Sequence, residues 1–173
     1  MSSPNTTLYP LTVYAADFCW SGESEIPTHR RLTDFVNDSN LAAIALTNVS
    51  TAVWFDDTLR ETHKTETIAV PKRNTLLIVP RSDITPPGGP SSDRVQKVPF
   101  RILIHLPSYT VIGDLNLFAH TSWLNIFALG NQEFFPITKA NVWRTKTTNS
   151  QLETDLRLLL VNRQEIIALE PTK

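Results

Sequence analysis

His29 and His120 stand 91 residues apart. If that interval relates two copies of one unit, the pair would suit a shared ligand, metal ion or proton-transfer site where facing copies meet. A metal centre needs three or four ligands, and no His-x-x-x-His or Glu-x-x-His surrounds either histidine. No metal and no other cofactor is therefore expected. The lone Cys19 lies between Phe18 and Trp20, where a free thiol behaves as a small buried hydrophobe, and no Gly-x-Ser-x-Gly elbow presents a nucleophile. Asp56-Asp57 reads as a solvent-facing dipeptide, and two of the five glycines fall in one Pro/Gly/Ser stretch, too few remaining for a phosphate-cradling loop. In Leu32-Thr33-Asp34-Phe35-Val36-Asn37 the Asp34 carboxylate is expected to accept backbone N–H bonds, with Asn37 in the left-handed position that ends the turn. A further candidate chemistry is the binding of single-stranded nucleic acid, although acidic residues balance the basic ones. Arg30, Arg31, Lys72, Arg73, Arg94, Lys97, Arg101, Arg144, Lys146 and Arg163, with Trp54, Trp123 and Trp143, could form a cationic and aromatic surface, and stacking contributes about 1–3 kcal/mol per base.

The elements that must position these residues repeat. Gly22 to Thr47 set against Gly113 to Thr138 aligns without gaps at an offset of 91, with Gly22, His29, Asn40 and Thr47 falling on Gly113, His120, Asn131 and Thr138. In the same frame Ile26 meets Leu117, Leu32 meets Trp123, Phe35 meets Ile126, Ile44 meets Phe135 and Leu46 meets Ile137. Further on, Val53-Trp54 matches Val142-Trp143 at 89, and Arg73 to Leu77 matches Arg163 to Ile167 at 90. Self-similarity of this kind reads as a tandem duplication, and it speaks to architecture before activity.

Composition sets outer bounds. A chain of 173 residues is one domain or two of about 80 residues, the latter near the lower limit for an unstapled core. With 41% hydrophobic and 19% charged residues it should fold rather than stay disordered. A net charge of −1 supplies no global basic field, so no DNA binding is expected, while a local patch leaves RNA open. One cysteine, no charged and apolar leader, and no run approaching about 18 apolar residues point to a cytoplasmic protein outside the membrane.

Along the chain, residues 1–10 are polar and expected to be disordered. The first β unit spans 11–82, a Pro/Gly/Ser linker 83–98, and the second unit 99–173. Leu11 to Ile26 is rich in β-branched and aromatic residues, with Gly22 at a bend or bulge. Leu32, Phe35 and Val36 share the face of a short helical turn. Leu41 to Thr47 and Ala52 to Phe55 follow as a kinked strand, then an acidic and polar loop. Thr67 to Val70 and Thr75 to Val79 read as strands joined in a hairpin by Pro71 to Asn74. The second unit repeats the series: Phe100 to Leu106, Tyr109 to Phe118, a helical element at Trp123 to Leu129, a middle strand from Phe134 to Thr145, and closing strands at Leu156 to Val161 and Glu165 to Leu169. The expected fold is mainly β, a tandem duplication of two small, about five-stranded, barrel-like domains, each with a short helical insert.

A strand ending in Gly, a loop carrying Asp34-Phe35-Val36-Asn37, a middle strand, and a basic residue before a last Ile/Leu run together resemble the Sm-like small β-barrel. In that family an Asp-x-x-Asn loop and an Arg-Gly before the last strand line the RNA-binding pore of a ring. The resemblance implies RNA contacts at Asp34 and Asn37 of the first copy, Asn125 of the second, and Arg73 and Arg163. Asn74 and Gln164 stand where the family has Gly, and Ala128 where the first copy has Asn37. Arg31 to Asn37, followed by Ile44 to Thr47, is also similar to an uncharacterised group of bacterial proteins with an Arg-Leu-Ser/Thr-Asp-x-x-Asn segment, for which no activity is implied. The leading expectation is a non-enzymatic assembly or protein-interaction module that forms a homo-oligomer or binds a protein partner through exposed strand edges. The alternatives are an Sm-like RNA-binding regulator, and a small-ligand binder or enzyme with His29 and His120 between the repeats.

Overall fold

Tyr9, Leu11 and Val13 alternate along β1 (Thr6–Tyr14) and turn buried side chains to the core of the first unit. In the computed structural model, which describes residues 5–55, 58–82, 97–128, 132–145 and 151–172, the chain divides into two compact units, Met1–Pro87 and Gly88–Lys173. Asp56-Asp57 and residues 83–96 of the expected linker lie outside the described residues. Both units are mainly β, with antiparallel strands and little helix.

In the first unit β1 pairs with β2 (Phe18–Pro27), β2 with β3 (Ala43–Phe55) and β3 with β4 (Thr58–Pro71), while β5 (Leu77–Pro80) returns to the other side of β1. A five-residue helix, Leu32–Val36 (α1), lies between β2 and β3, and Leu32 and Val36, one turn apart, are its buried face. Gly22 sits where the β2–β3 register shifts between Ser21 and Glu23, so the expected bend is a bulge inside one strand. β1 begins at Thr6, because residues 6–10 pair with Pro27 to Glu23. The expected polar loop after Phe55 belongs to β4, which pairs with β3 along its length. Its alternation was hidden because nearly all of Thr58 to Thr67 is exposed and polar on both faces. Pro71 to Asn74 does not close a hairpin: the turn is 3₁₀ over Lys72–Asn74, and β5 pairs with β1 rather than β4.

The second unit has β6 (Lys97–His105), β7 (Tyr109–Phe118), a 3₁₀ segment (Trp123–Ala128), β8 (Phe134–Arg144), β9 (Gln151–Leu156), β10 (Leu159–Asn162), a 3₁₀ turn (Arg163–Glu165) and β11 (Ala168–Pro171). β6 pairs with β7, β7 with β8, and β11 with β6. β9 and β10 both pair with β8, splitting the course that β4 runs unbroken. The break falls just after Asp155, whose φ is 47°, and whose N–H donates to Asn141 Oδ1 at 3.0 Å.

The two units share one hydrogen-bond skeleton at a constant interval of 91. Trp54 N–H to Asp17 O recurs as Thr145 to Ser108, Leu76 to Tyr14 as Ile167 to His105, and Lys72 to Ala42 as Arg163 to Glu133. The Thr47 hydroxyl donates to Glu23 O at 3.2 Å, and that of Thr138 to Asp114 O at 3.3 Å. One pair of left-handed residues also coincides, Asn48 with Lys139. The interval does not drift to 89 or 90, so Arg163 takes the place of Lys72 rather than Arg73, and Trp54 that of Thr145 rather than Trp143.

Candidate interaction surface

The loop after α1 and the 3₁₀ turn before β5 meet at one end of the first unit. Lys72 is buried there, its N–H on Ala42 O and its Nζ 3.2 Å from Asp38 O. Arg30 donates to Asp38 Oδ2 at 2.8 Å and to Asp34 O at 3.3 Å, stapling the loop to the helix. The Asn40 backbone N–H, followed by the Arg30 guanidinium, holds the Asp38 carboxyl below the usual carboxylate range. Asp38, not Asp34, is therefore the carboxylate that accepts the turn's N–H bond; Asp34 lies exposed on the first turn of α1. Asn37 closes α1 with φ −89° rather than a left-handed φ, its Nδ2 donating to Thr33 O at 2.9 Å. Arg73 is exposed beside Lys72. In the second unit Asn125 is exposed and Arg163 lies over the Phe135 ring at 6.0 Å. In the first unit the turn that carries Arg73 thus meets the loop that follows Asp34 and Asn37, while in the second Arg163 meets Glu133 and Phe135.

His29 and His120 occupy counterpart exposed turns, closed by Arg30 N–H to Pro27 O and by Thr121 N–H to Phe118 O. Among the described residues no group of three His, Cys, Asp or Glu side chains is placed to hold a metal ion, and no helix is long and apolar enough to cross a membrane. Cys19 is buried. A cleft of about 460 Å³ lies against Asn48, Val49, Ser50, Lys64, Thr65 and Glu66, with no histidine or cysteine in its lining.

A second kind of surface lies on β2 and β3. Cys19 turns into the core, so Phe18 and Trp20 on either side of it turn out, stacked with ring centroids 5.6 Å apart and planes 5° from parallel. The ladder sets Phe18 opposite Val53 and Trp20 opposite Thr51, and Phe55 follows Val53 on the same face. Phe18 is 44% and Phe55 50% exposed. Two of their counterparts differ in burial: Tyr109 and Val111, in the places of Phe18 and Trp20, are each 0% exposed, while Thr51 and its counterpart Val142 are both buried. The signal within reach was the period of two around Cys19, which fixes both aromatic neighbours on the opposite face. All four tryptophans are half-buried rather than core residues.

The second unit exposes other apolar residues. Leu124 and Phe127, three residues apart on a 3₁₀ turn, project from one side and are 67% and 50% exposed. At the end of the β6–β7 ladder Phe118 and Val98 are also exposed, on opposite faces because Lys97 pairs with Phe118 and Val98 with Leu117, and Lys97 Nζ lies 5.0 Å from the Phe118 ring centre. Phe100 stacks on Trp123 at 6.4 Å, which seats the 3₁₀ segment on β6. The strand edges, in contrast, are guarded. β4 carries Arg60, Glu61, Lys64 and Glu66 with a bulge, and β11 carries Glu170 and Pro171. The chain matches no protein-family model, no curated protein and no solved structure.

Proposed function

We propose that the chain is a tandem duplicate of one barrel-like β unit and works in the cytoplasm, without catalysis, as an assembly and protein-interaction module. Its interaction face is the stacked aromatic face of the first unit. The observation that carries this reading is the unequal burial of counterpart residues: Phe18 stands in solvent beside the exposed Phe55, whereas Tyr109 and Val111, in the places of Phe18 and Trp20, are fully buried. Exposed apolar area forgoes about 25 cal/mol per Å² of burial, and contiguous patches of it mark interaction sites. The charged and proline-bearing edges of β4 and β11 favour contact through faces rather than added strands. Affinity capture of the tagged chain from its native cells tests the reading, alongside the Phe18→Ser/Phe55→Ser variant. A stoichiometric protein, or further copies of the chain, should be retained by the parent and lost by the variant. Identical retention by both, or nothing retained by either, rejects it.

RNA binding is the second reading, favoured by the contact that brings the Lys72-Arg73 turn onto the loop after α1. It assigns Asp34, Asn37, Arg73, Asn125 and Arg163 to the RNA. Arg73→Ala with Arg163→Ala should weaken binding of a single-stranded oligonucleotide and lower its salt dependence. Unchanged affinity removes the assignment.

A further inference from the structure

We propose that β11 is a pH-sensitive latch on the second unit: the ion pair of His105 with Glu170 closes it onto β6 at mildly acidic pH, and loss of the imidazole proton loosens it. The latch is a movement within the second unit and is independent of what the chain binds.

The counterpart strand shows what β11 lacks. Along β5 the side chains of Leu77, Ile78 and Val79 are fully buried, so apolar burial holds that strand in place. Their places in β11 are taken by Ala168, Leu169 and Glu170, of which Leu169 is half-buried and the other two are exposed. The buried Tyr14, which pairs with Leu77, likewise gives way to His105, which pairs with Ala168. With little apolar area to hold it, β11 depends on backbone bonds, among them Ile167 N–H to His105 O and Thr172 N–H to Arg101 O, and on the pair of His105 with Glu170. His105 Nε2 lies 2.8 Å from Glu170 Oε1, the two side chains being 34% and 60% exposed. Histidine changes charge between about pH 5 and 8, and a charge-assisted hydrogen bond is about twice as strong as a neutral one. Across β7 and β8 the rows through and beside His105 hold Thr110, Trp143, Ile112 and Asn141, none of them charged. Arg101, on the same face of β6, is occupied by Asp114 at 2.9 Å. Among the described residues of these strands, Glu170 is therefore the charge that senses the imidazole. Release of β11 leaves the Arg101 and His105 carbonyls on an open edge of β6, the kind of edge to which another strand adds.

Amide hydrogen exchange of the whole chain, read by NMR as protection factors corrected for intrinsic exchange, tests the latch at about pH 5.5 and about pH 8. The Ile167 and Thr172 amides should be about two- to fivefold better protected at the lower pH, the range a partly exposed ion pair supplies. Their counterparts in the first unit, the Leu76 and Arg81 amides that donate to Tyr14 O and Pro10 O, are the internal control and should not follow this change. His105→Gln keeps a donor that cannot take a charge, and Glu170→Gln removes the charge it meets. Either substitution should abolish the pH dependence at Ile167 and Thr172. Equal protection of those two amides at both pH values in the parent overturns the inference. So does a parallel change at Leu76 and Arg81, or a pH dependence that persists in either variant.

Discussion

Alanine in place of Gly22 or Gly113 adds one methyl carbon at the bulge that bends the second strand of each unit, and the two sites should respond differently. At Gly22 the new Cβ would lie 2.7 Å from Thr47 O, 3.2 Å from Val49 Cγ2 and 3.3 Å from Leu46 Cβ. The nearest atom is backbone, held by the Glu23–Thr47 pairing and by the Thr47 hydroxyl on Glu23 O, so it cannot yield without opening the ladder. At Gly113 the Cβ collides first with Ile137 Cγ2, a side-chain atom, with Thr138 O at 3.1 Å and Ala140 Cα at 3.3 Å behind it. Overfilling of this kind costs about 1–3 kcal/mol, or roughly 4–8 °C of melting temperature per kcal/mol in a unit of this size. Urea unfolding followed by tryptophan fluorescence measures both. Ile137→Ala, which leaves its own cavity, should recover part of the Gly113→Ala loss as a favourable coupling of at least about 0.5 kcal/mol. No side-chain truncation at Val49 should rescue Gly22→Ala. A Gly22→Ala protein within about 0.5 kcal/mol of the parent would refute the reasoning.

Three further outcomes follow from the same structure. Lys139 has φ 48° where its counterpart Asn48 has φ 52°, and lysine tolerates that region worse than asparagine. Lys139→Gly should therefore raise stability by about 0.5–1 kcal/mol, whereas Asn48→Gly, which loses the Nδ2 bond to Glu23 Oε2 at 3.0 Å, should not; urea midpoints decide. Cys19 is buried, so a thiol reagent should react with it only as the chain unfolds, giving a labelling rate that follows the denaturant curve. The Asp38 carboxyl is held below its usual value of 3.8 in the folded chain. Its contribution to stability is therefore full above that value and lost as the pH falls through the lower, folded-state value. Asp38→Asn should accordingly flatten the acid limb of the stability profile below about pH 4.

Much of the β fold was legible in a pattern that recurs at an interval of 91. Gly22 with Gly113, and the apolar residues between Ile26 and Leu46, fixed one register, and the hydrogen bonds extend that register through both units. Where sequence similarity was weakest it misled: the Arg73–Arg163 match displaced the true counterpart Lys72 by one residue. β4 was hidden because a strand exposed on both faces has no apolar alternation, and only its pairing to β3 defines it. The role given to Asp34 fell to Asp38, since the bonding depends on where Arg30 and Asn40 arrive in space. The aromatic face was visible only in principle. Phe18 and Trp20 carry the same hydrophobic signal whether they point into a core or away from it, and burial of their counterparts in the second unit gives no warning that the first unit differs.

The most direct test of the interaction-module account is the light-scattering mass of the purified chain through size exclusion, with absorbance at 260 and 280 nm recorded across the peak and Phe18→Ser/Phe55→Ser run beside it. The account predicts a multiple of the 19.5 kDa chain, or a complex with another protein, free of nucleic acid and reduced to the single chain by the variant. A monomer that the variant leaves unchanged and that retains no protein from its native cells, or an excess at 260 nm that nuclease removes together with the higher mass, would contradict it.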